Sequence, residues 1–189
     1  VAAVRIAVDM VKEGLITKKE ALQRIGPDQL AQYLYPIFDA QEESRCTPLG
    51  KGLPAGPGAA AGKLALTADR AVEMKAAGNR VVLVRQETSP DDIHGMNAAL
   101  GFLTARGGMT SHAAVVARQM GKVCVAGCDA IEVLDNQSVR IGTQTFREGD
   151  YLSVNGSTGN VYGGDIPVVE SEVIQVLQGK MEASASEKY

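Results

Sequence analysis

The 189-residue chain has no Trp, only 4% aromatic residues and no run of Lys or Arg beyond an isolated pair. Without aromatic platforms it lacks the usual means of stacking single-stranded bases. Without a basic stripe, and with a net charge of −3, it lacks the electrostatic footprint of a nucleic-acid binder. Cysteine is sparse and odd in number: Cys46, Cys124 and Cys128. Three such residues make no disulfide framework, which points to a reducing, intracellular compartment. No apolar run reaches the length of a membrane span. The opening VAAVRIAVDM carries neither Met nor a signal-peptide layout, and it reads as the middle of a helix in a longer protein.

What is present is 45% hydrophobic residues and 21 Gly, enough core for one domain with some chain left over. Residues 1–43 read as helical. Val4, Ala7, Val8 and Val11 share one helix face, Gly14 closes that helix, and Thr17 with Glu20 matches a capping box. A short third helix is expected from Asp28 to Leu34, stopped by Pro36. Residues 44–58, SRCTPLGKGLPAGPG, are Pro- and Gly-rich and read as a hinge linker. From 59 to 163 the pattern is a compact α/β domain. Strands are expected at 63–67, 80–85, 101–105 and 123–126, alternating with helices at 69–77, 90–99 and 111–120. After Asp135 short strands and turn signals predict a β-meander, with a hairpin turn at 155–160. Residues 164–189 read as a linker toward a further domain, with Val173, Ile174 and Leu177 at helical spacing.

The stretch richest in chemistry runs from Thr104 to Arg118. A buried strand ends near Ala105. Gly107 and Gly108 permit a sharp turn and leave the backbone open. Thr110 and Ser111 are both good N-cap residues, which puts His112 in the first turn of a helix. Val115, Val116 and Met120 are expected to bury that helix against the sheet. A helix N-terminus suits a phosphate, and its field disfavours an imidazolium ion, leaving a neutral ring nitrogen free to attack phosphorus.

Competing motifs fail on spacing. A phosphate-binding P-loop ending at Gly62-Lys63 needs Gly at position 57 and Ser or Thr at 64, where Pro57 and Leu64 stand. Cys124 and Cys128 are four apart, unlike a zinc knuckle or a C-x-x-C redox pair, and read as buried small residues; no metal site is expected. His94 follows Ser89-Pro90 on a short helix and reads as a partly buried polar residue.

Residues 107–118, GGMTSHAAVVAR, resemble the active-site signature of the phosphoenolpyruvate-utilising enzymes. Residues 8–22, 51–63, 83–99, 124–130 and 146–162 agree with the same family, so the resemblance covers nearly the whole chain. Within it, Met109 and Ser111 look most like the dikinase branch; the synthase branch reads closer to GGRTCH. Gln119 departs from the family, which more usually has Gly there.

The resemblance implies a swivelling β/β/α phosphohistidine domain, class α/β, flanked by helical linker segments that act as hinges. It implies that His112 carries a phosphoryl group from ATP to pyruvate, with inorganic phosphate removing the outer phosphoryl as pyrophosphate. The implied partners are an ATP-binding and a pyruvate-binding domain of the same enzyme, which also hold Mg²⁺, within a homodimer. Thr110 and Ser111 would cap the helix and meet phosphoryl oxygens, and Gly107 and Gly108 would let substrate approach. Arg106 suits either a phosphate contact or a structural ion pair, and Arg118 a structural role. The alternatives are the carrier of a synthase and a non-catalytic swivelling module.

Overall fold

Side chains alternate in direction along a strand, so a strand covered on both faces shows no polar side. Val81–Arg85, Gly101–Thr104 and Val123–Ala126 are such strands, buried at nearly every position. The computed structural model describes residues 2–26, 33–135, 137–180 and 182. It divides into two compact units, one of Val1–Tyr35 with Glu170–Tyr189, the other Pro36–Val169.

The larger unit opens with β1 (Ile37–Phe38), helix α3 (Ala40–Arg45), β2 (Gly50–Lys51), β3 (Leu53–Gly56) and β4 (Ala59–Ala65). There follow α4 (Ala68–Ala76), β5 (Val81–Arg85), a 3-10 turn at Pro90–Asp92, α5 (Ile93–Ala98), β6 (Gly101–Thr104), α6 (His112–Met120) and β7 (Val123–Ala126). Strands β8 (Ile131–Val133), β9 (Ser138–Ile141), β10 (Gln144–Arg147), β11 (Tyr151–Asn155), β12 (Asn160–Gly163) and β13 (Val168–Val169) complete it. The smaller unit contains α1 (Ala2–Lys12), α2 (Lys18–Arg24) and α7 (Glu172–Leu177).

Eight strands form one sheet in the order β2-β12-β11-β4-β5-β6-β7-β3. Its two edge strands, β2 and β3, are separated in the chain by Gly52 alone. In a flat sheet those edges would stand about 33 Å apart, at roughly 4.8 Å per spacing, whereas one residue spans at most about 3.6 Å. The sheet therefore wraps round until its edges meet, and Gly52 N donates to Gly159 O at 2.9 Å near that seam. Inside lie Leu64, Val82, Val84, Leu103, Val125, Leu152 and Val154, with Val139 and Ile141 of the three-stranded β10-β9-β8 sheet packed against them. The opposite faces of the parallel strands β4 to β7 meet the helices: Val81, Leu83, Phe102 and Cys124 pack on Met74, Met96, Ala114 and Ala117.

Several expectations change. Residues 50–56, read as hinge linker, are strands at the two ends of the sheet. Pro54 is tolerated because β3 is an edge strand with an irregular register at Pro54/Gly56. Ala59–Gly62, poor in β-formers, belongs to β4 because β11 pairs with it along its length. Ile131–Val133 and Val168–Val169 were not anticipated as strands; the second pairs with Ile37–Phe38. The meander divides, its first strands forming a separate sheet and β11-β12 joining the main one. Val115 is 40% exposed instead of buried, since Ala113, Ala114, Val116 and Ala117 already fill the face against the sheet. The third helix expected at 28–34 falls mostly outside the described residues.

In the smaller unit Gly14 follows α1 with φ 73. The capping box is present as expected: Glu20 N donates to Thr17 Oγ1 at 3.2 Å, and Thr17 N to Glu20 Oε2 at 2.7 Å. Ser171 caps α7.

Candidate phosphohistidine site

Parallel neighbours β5 and β6 end side by side, with Arg85 opposite Thr104. The loops leaving their C-terminal ends therefore meet, which is where open α/β sheets usually build sites. Residues 86–89 form one wall and residues 105–111 the other. Two backbone bonds tie them together, Ala105 N to Arg85 O at 3.1 Å and Arg106 N to Gln86 O at 2.8 Å.

The second loop is held in shape before it becomes α6. Gly107 has φ 116, and a Cβ there would press on the Ser111 side chain. Gly127, after β7, lies so close that a Cβ on it would overlap the Gly107 carbonyl oxygen. Thr104 Oγ1 accepts from Gly127 N at 3.4 Å. Ser111, with extended backbone (φ −64, ψ 159), is the N-cap, and its hydroxyl accepts from Ala114 N at 3.4 Å. Thr110 was expected to cap as well; it precedes the N-cap and is exposed. Arg118 reaches back from the last turn of α6, donating to Ala114 O at 3.1 Å and, through Nη2, to Met109 O. That bears out a structural part for Arg118, since both acceptors are backbone.

His112 is the first residue of α6 and half-buried. Its Nδ1 lies 3.2 Å from Thr88 Oγ1 across the two loops. The threonine hydroxyl can donate or accept, so the direction of this bond follows the tautomer of the ring. Of the other expected residues, Gly108 has open space around its missing Cβ, and Arg106 is exposed beside Gly107. His94 stands apart from this arrangement, paired with Asp69 on α4 at 2.9 Å. Cys124 lies fully buried beneath α6, and burial pushes its thiol up to about 12; burial also raises Cys128. Among the described residues no three His, Cys, Asp or Glu side chains converge as a metal site of protein ligands alone would require. No described helix is long and apolar enough to cross a membrane.

Residues 77–159 match the family described as PEP-utilising enzyme, mobile domain. Those residues carry the mobile domain of the PEP-utilising enzymes. The matched span contains Thr88, His112 and both loops of the site. The chain is 53% identical over 173 residues to pyruvate, phosphate dikinase of Clostridium symbiosum, covering 91% of this chain and 20% of that protein. It is 47% identical over 184 residues to the Giardia intestinalis dikinase, covering 97% and 21%, and 53% identical over 167 residues to pyruvate, phosphate dikinase 2 of Oryza sativa, covering 88% and 19%. The chain thus spans about a fifth of the length of these relatives.

Sequence reasoning placed His112 and its cap but gave Thr88 no role. The signal was available in part. Thr88 lies three residues beyond the end of β5, the strand that a βαβ crossover places beside the strand leading to His112. What was missing is the register, which decides whether two such loops touch.

Proposed function

We propose that this mobile domain is the phosphoryl carrier of a pyruvate, phosphate dikinase, with His112 as the residue that takes and gives the phosphoryl group. The observation that carries the reading is the engagement of Nδ1 by Thr88 at 3.2 Å at the start of a capped helix. In the reactive tautomer Nδ1 keeps its proton and donates it to Thr88 Oγ1, while the Nε2 lone pair attacks phosphorus. The bond from phosphorus to the leaving oxygen breaks, and that oxygen departs with its electron pair. The backbone N–H groups of the first turn of α6 favour the negative phosphoryl oxygens, and Arg106 stands near enough in sequence and exposure to meet them.

The full cycle follows the dikinase pattern. His112 takes a pyrophosphoryl group from ATP, releasing AMP. Inorganic phosphate accepts the outer phosphoryl, releasing pyrophosphate. The phosphoryl left on His112 passes to the enolate oxygen of pyruvate, giving phosphoenolpyruvate. ATP and pyruvate belong to other domains of the enzyme, where Mg²⁺ would be held against the substrate phosphates. The travel this requires is assigned to the two places where the chain enters and leaves the larger unit, Tyr35-Pro36 and Val169-Glu170, because residues 50–56 are locked into the sheet.

The test is phosphoryl transfer in trans. The chain is mixed with Mg²⁺, phosphoenolpyruvate and the separately made pyruvate-binding domain of a related dikinase, and acid-labile phosphate is mapped by mass spectrometry. Label on His112, absent from His112→Ala, is expected. No label, with a domain competent toward an intact carrier, would refute the reading.

A further inference from the structure

Asp92 is a carboxylate only 5% exposed, outside the phosphoryl chemistry described above. A charge buried that far is tolerated when its lone pairs are occupied. Its Oδ2 accepts from Ser89 N at 2.9 Å and from Ser89 Oγ at 3.3 Å. Its Oδ1 lies 3.3 Å from Arg85 Nε, and Arg85 Nη1 in turn donates to Leu66 O at 3.0 Å. The Arg85 contact is charge attraction more than an aimed hydrogen bond, since Nε finds no well-directed acceptor. Both direct partners of Asp92, Ser89 and Arg85, belong to the strand end and turn from which Thr88 projects.

Thr88 is thereby pinned from both sides. Ser89, its immediate neighbour, is bonded to Asp92 through both its backbone and its hydroxyl. Gln86, two residues before it, gives its carbonyl to Arg106 N on the loop that carries His112. One residue of slack, Glu87, remains. We infer that Asp92 is a positioning residue for phosphoryl transfer: it fixes the 85–92 turn so that the Thr88 hydroxyl meets His112 Nδ1 and Nε2 stays free. The inference rests on the carrier reading for its purpose, but its geometry concerns the unphosphorylated chain. A hydrogen bond of ordinary strength holds a tautomer only when its partner is held to within a few tenths of an ångström; a loosened turn would let the imidazole exchange tautomers and present either nitrogen.

The test is a double-mutant cycle in the intact chain. Asp92→Ala is made alone and together with Thr88→Val. Two quantities are read: the His112 tautomer, from ¹⁵N–¹H correlation of the imidazole, and the rate and position of phosphorylation by phosphoramidate. This reagent moves its phosphoryl group to the ring nitrogen and releases ammonia without any partner domain. His94→Gln identifies the signals of the other histidine. With Thr88 present, Asp92→Ala should shift the ring toward the Nε2–H tautomer and slow Nε2 phosphorylation by about tenfold, the equivalent of losing one positioned hydrogen bond. With Thr88→Val, Asp92→Ala should change either reading by less than about twofold, because the path from Asp92 to the ring is already cut.

Equal losses in both backgrounds would overturn the inference, since a merely structural role would not depend on Thr88. An unchanged tautomer would overturn it as well. Asp92→Asn keeps the shape and one acceptor oxygen, so it carries the same cycle with a smaller loss if Asp92→Ala does not fold. If phosphoenolpyruvate leaves His112 unlabelled in the trans assay while the cycle shows coupling, the carrier reading falls and the positioning stands.

Discussion

Gly121 and Gly127 share one backbone angle, φ 63, and differ in what a side chain would meet there. Around Gly121, just past the end of α6, no atom lies within 4 Å of a built Cβ. At Gly127 the Cβ would fall well inside the 3.0 Å that real Cβ atoms respect, against the carbonyl oxygen of Gly107. An alanine in the left-handed region costs about 1 kcal/mol, so Gly121→Ala should destabilise by about that much. Gly127→Ala adds the steric term of overpacking, roughly 1–3 kcal/mol, giving about 2–4 kcal/mol in all. The backbone can relieve the overlap only by moving the Gly107 carbonyl, and with it the loop that presents His112. A displacement on the order of 1 Å at a reacting group can lower a rate about a hundredfold. Urea unfolding followed by circular dichroism measures the first effect, and phosphorylation of His112 the second. Gly121→Ala should leave phosphorylation intact, while Gly127→Ala lowers it by roughly 10–100-fold. Equal stability losses, or a normal rate in Gly127→Ala, would refute the claim that this glycine supports the site loop.

The cysteines give a pH-dependent prediction. In the native chain a thiol reagent at pH 8 should modify Cys46, which is partly exposed, and leave Cys124 and Cys128 untouched until urea is added; prompt native labelling of Cys124 would contradict its burial. The Cys124 thiol is raised from 9.0 to about 12 by burial, so the folded chain holds a proton that the unfolded chain releases. That stabilisation is fully present below about pH 9 and is lost as pH rises toward about 12, so unfolding midpoints should fall across that window and fall less in Cys124→Ala. Phe102, fully buried between β6 and the helices, should cost about 3–5 kcal/mol when cut to Ala; a loss below about 1 kcal/mol would mean that the outer face of the sheet is not the core described.

The twelve residues 107–118 were enough to locate His112, its helix and an N-cap among Thr110 and Ser111, because capping, glycine turns and helix polarity act within a few residues of one another. The apolar strands 81–85, 101–104 and 123–126 were legible for the same local reason. Pairing is not local. Residues 50–56 carry the composition of a linker, and only β7 and β12, about 70 and 110 residues away, make strands of them. Ala59–Gly62 joins the sheet because β11 supplies the hydrogen bonds that its small side chains do not call for. Thr88 sits in a stretch that sequence comparison already singled out, yet its role depends on the parallel register that sets Arg85 opposite Thr104. Asp92 became visible one step later, as a buried charge whose partners all lie in one turn. The sequence by itself pointed to His112, through the resemblance of residues 107–118 to a family signature and through its place at a helix start beside good capping residues. Tertiary structure alone decided which loop meets His112, because the contacts that join the two loops close stretches of 20 residues and more, from Gln86 to Arg106 and from Thr88 to His112, and local propensity carries no information about how such loops meet.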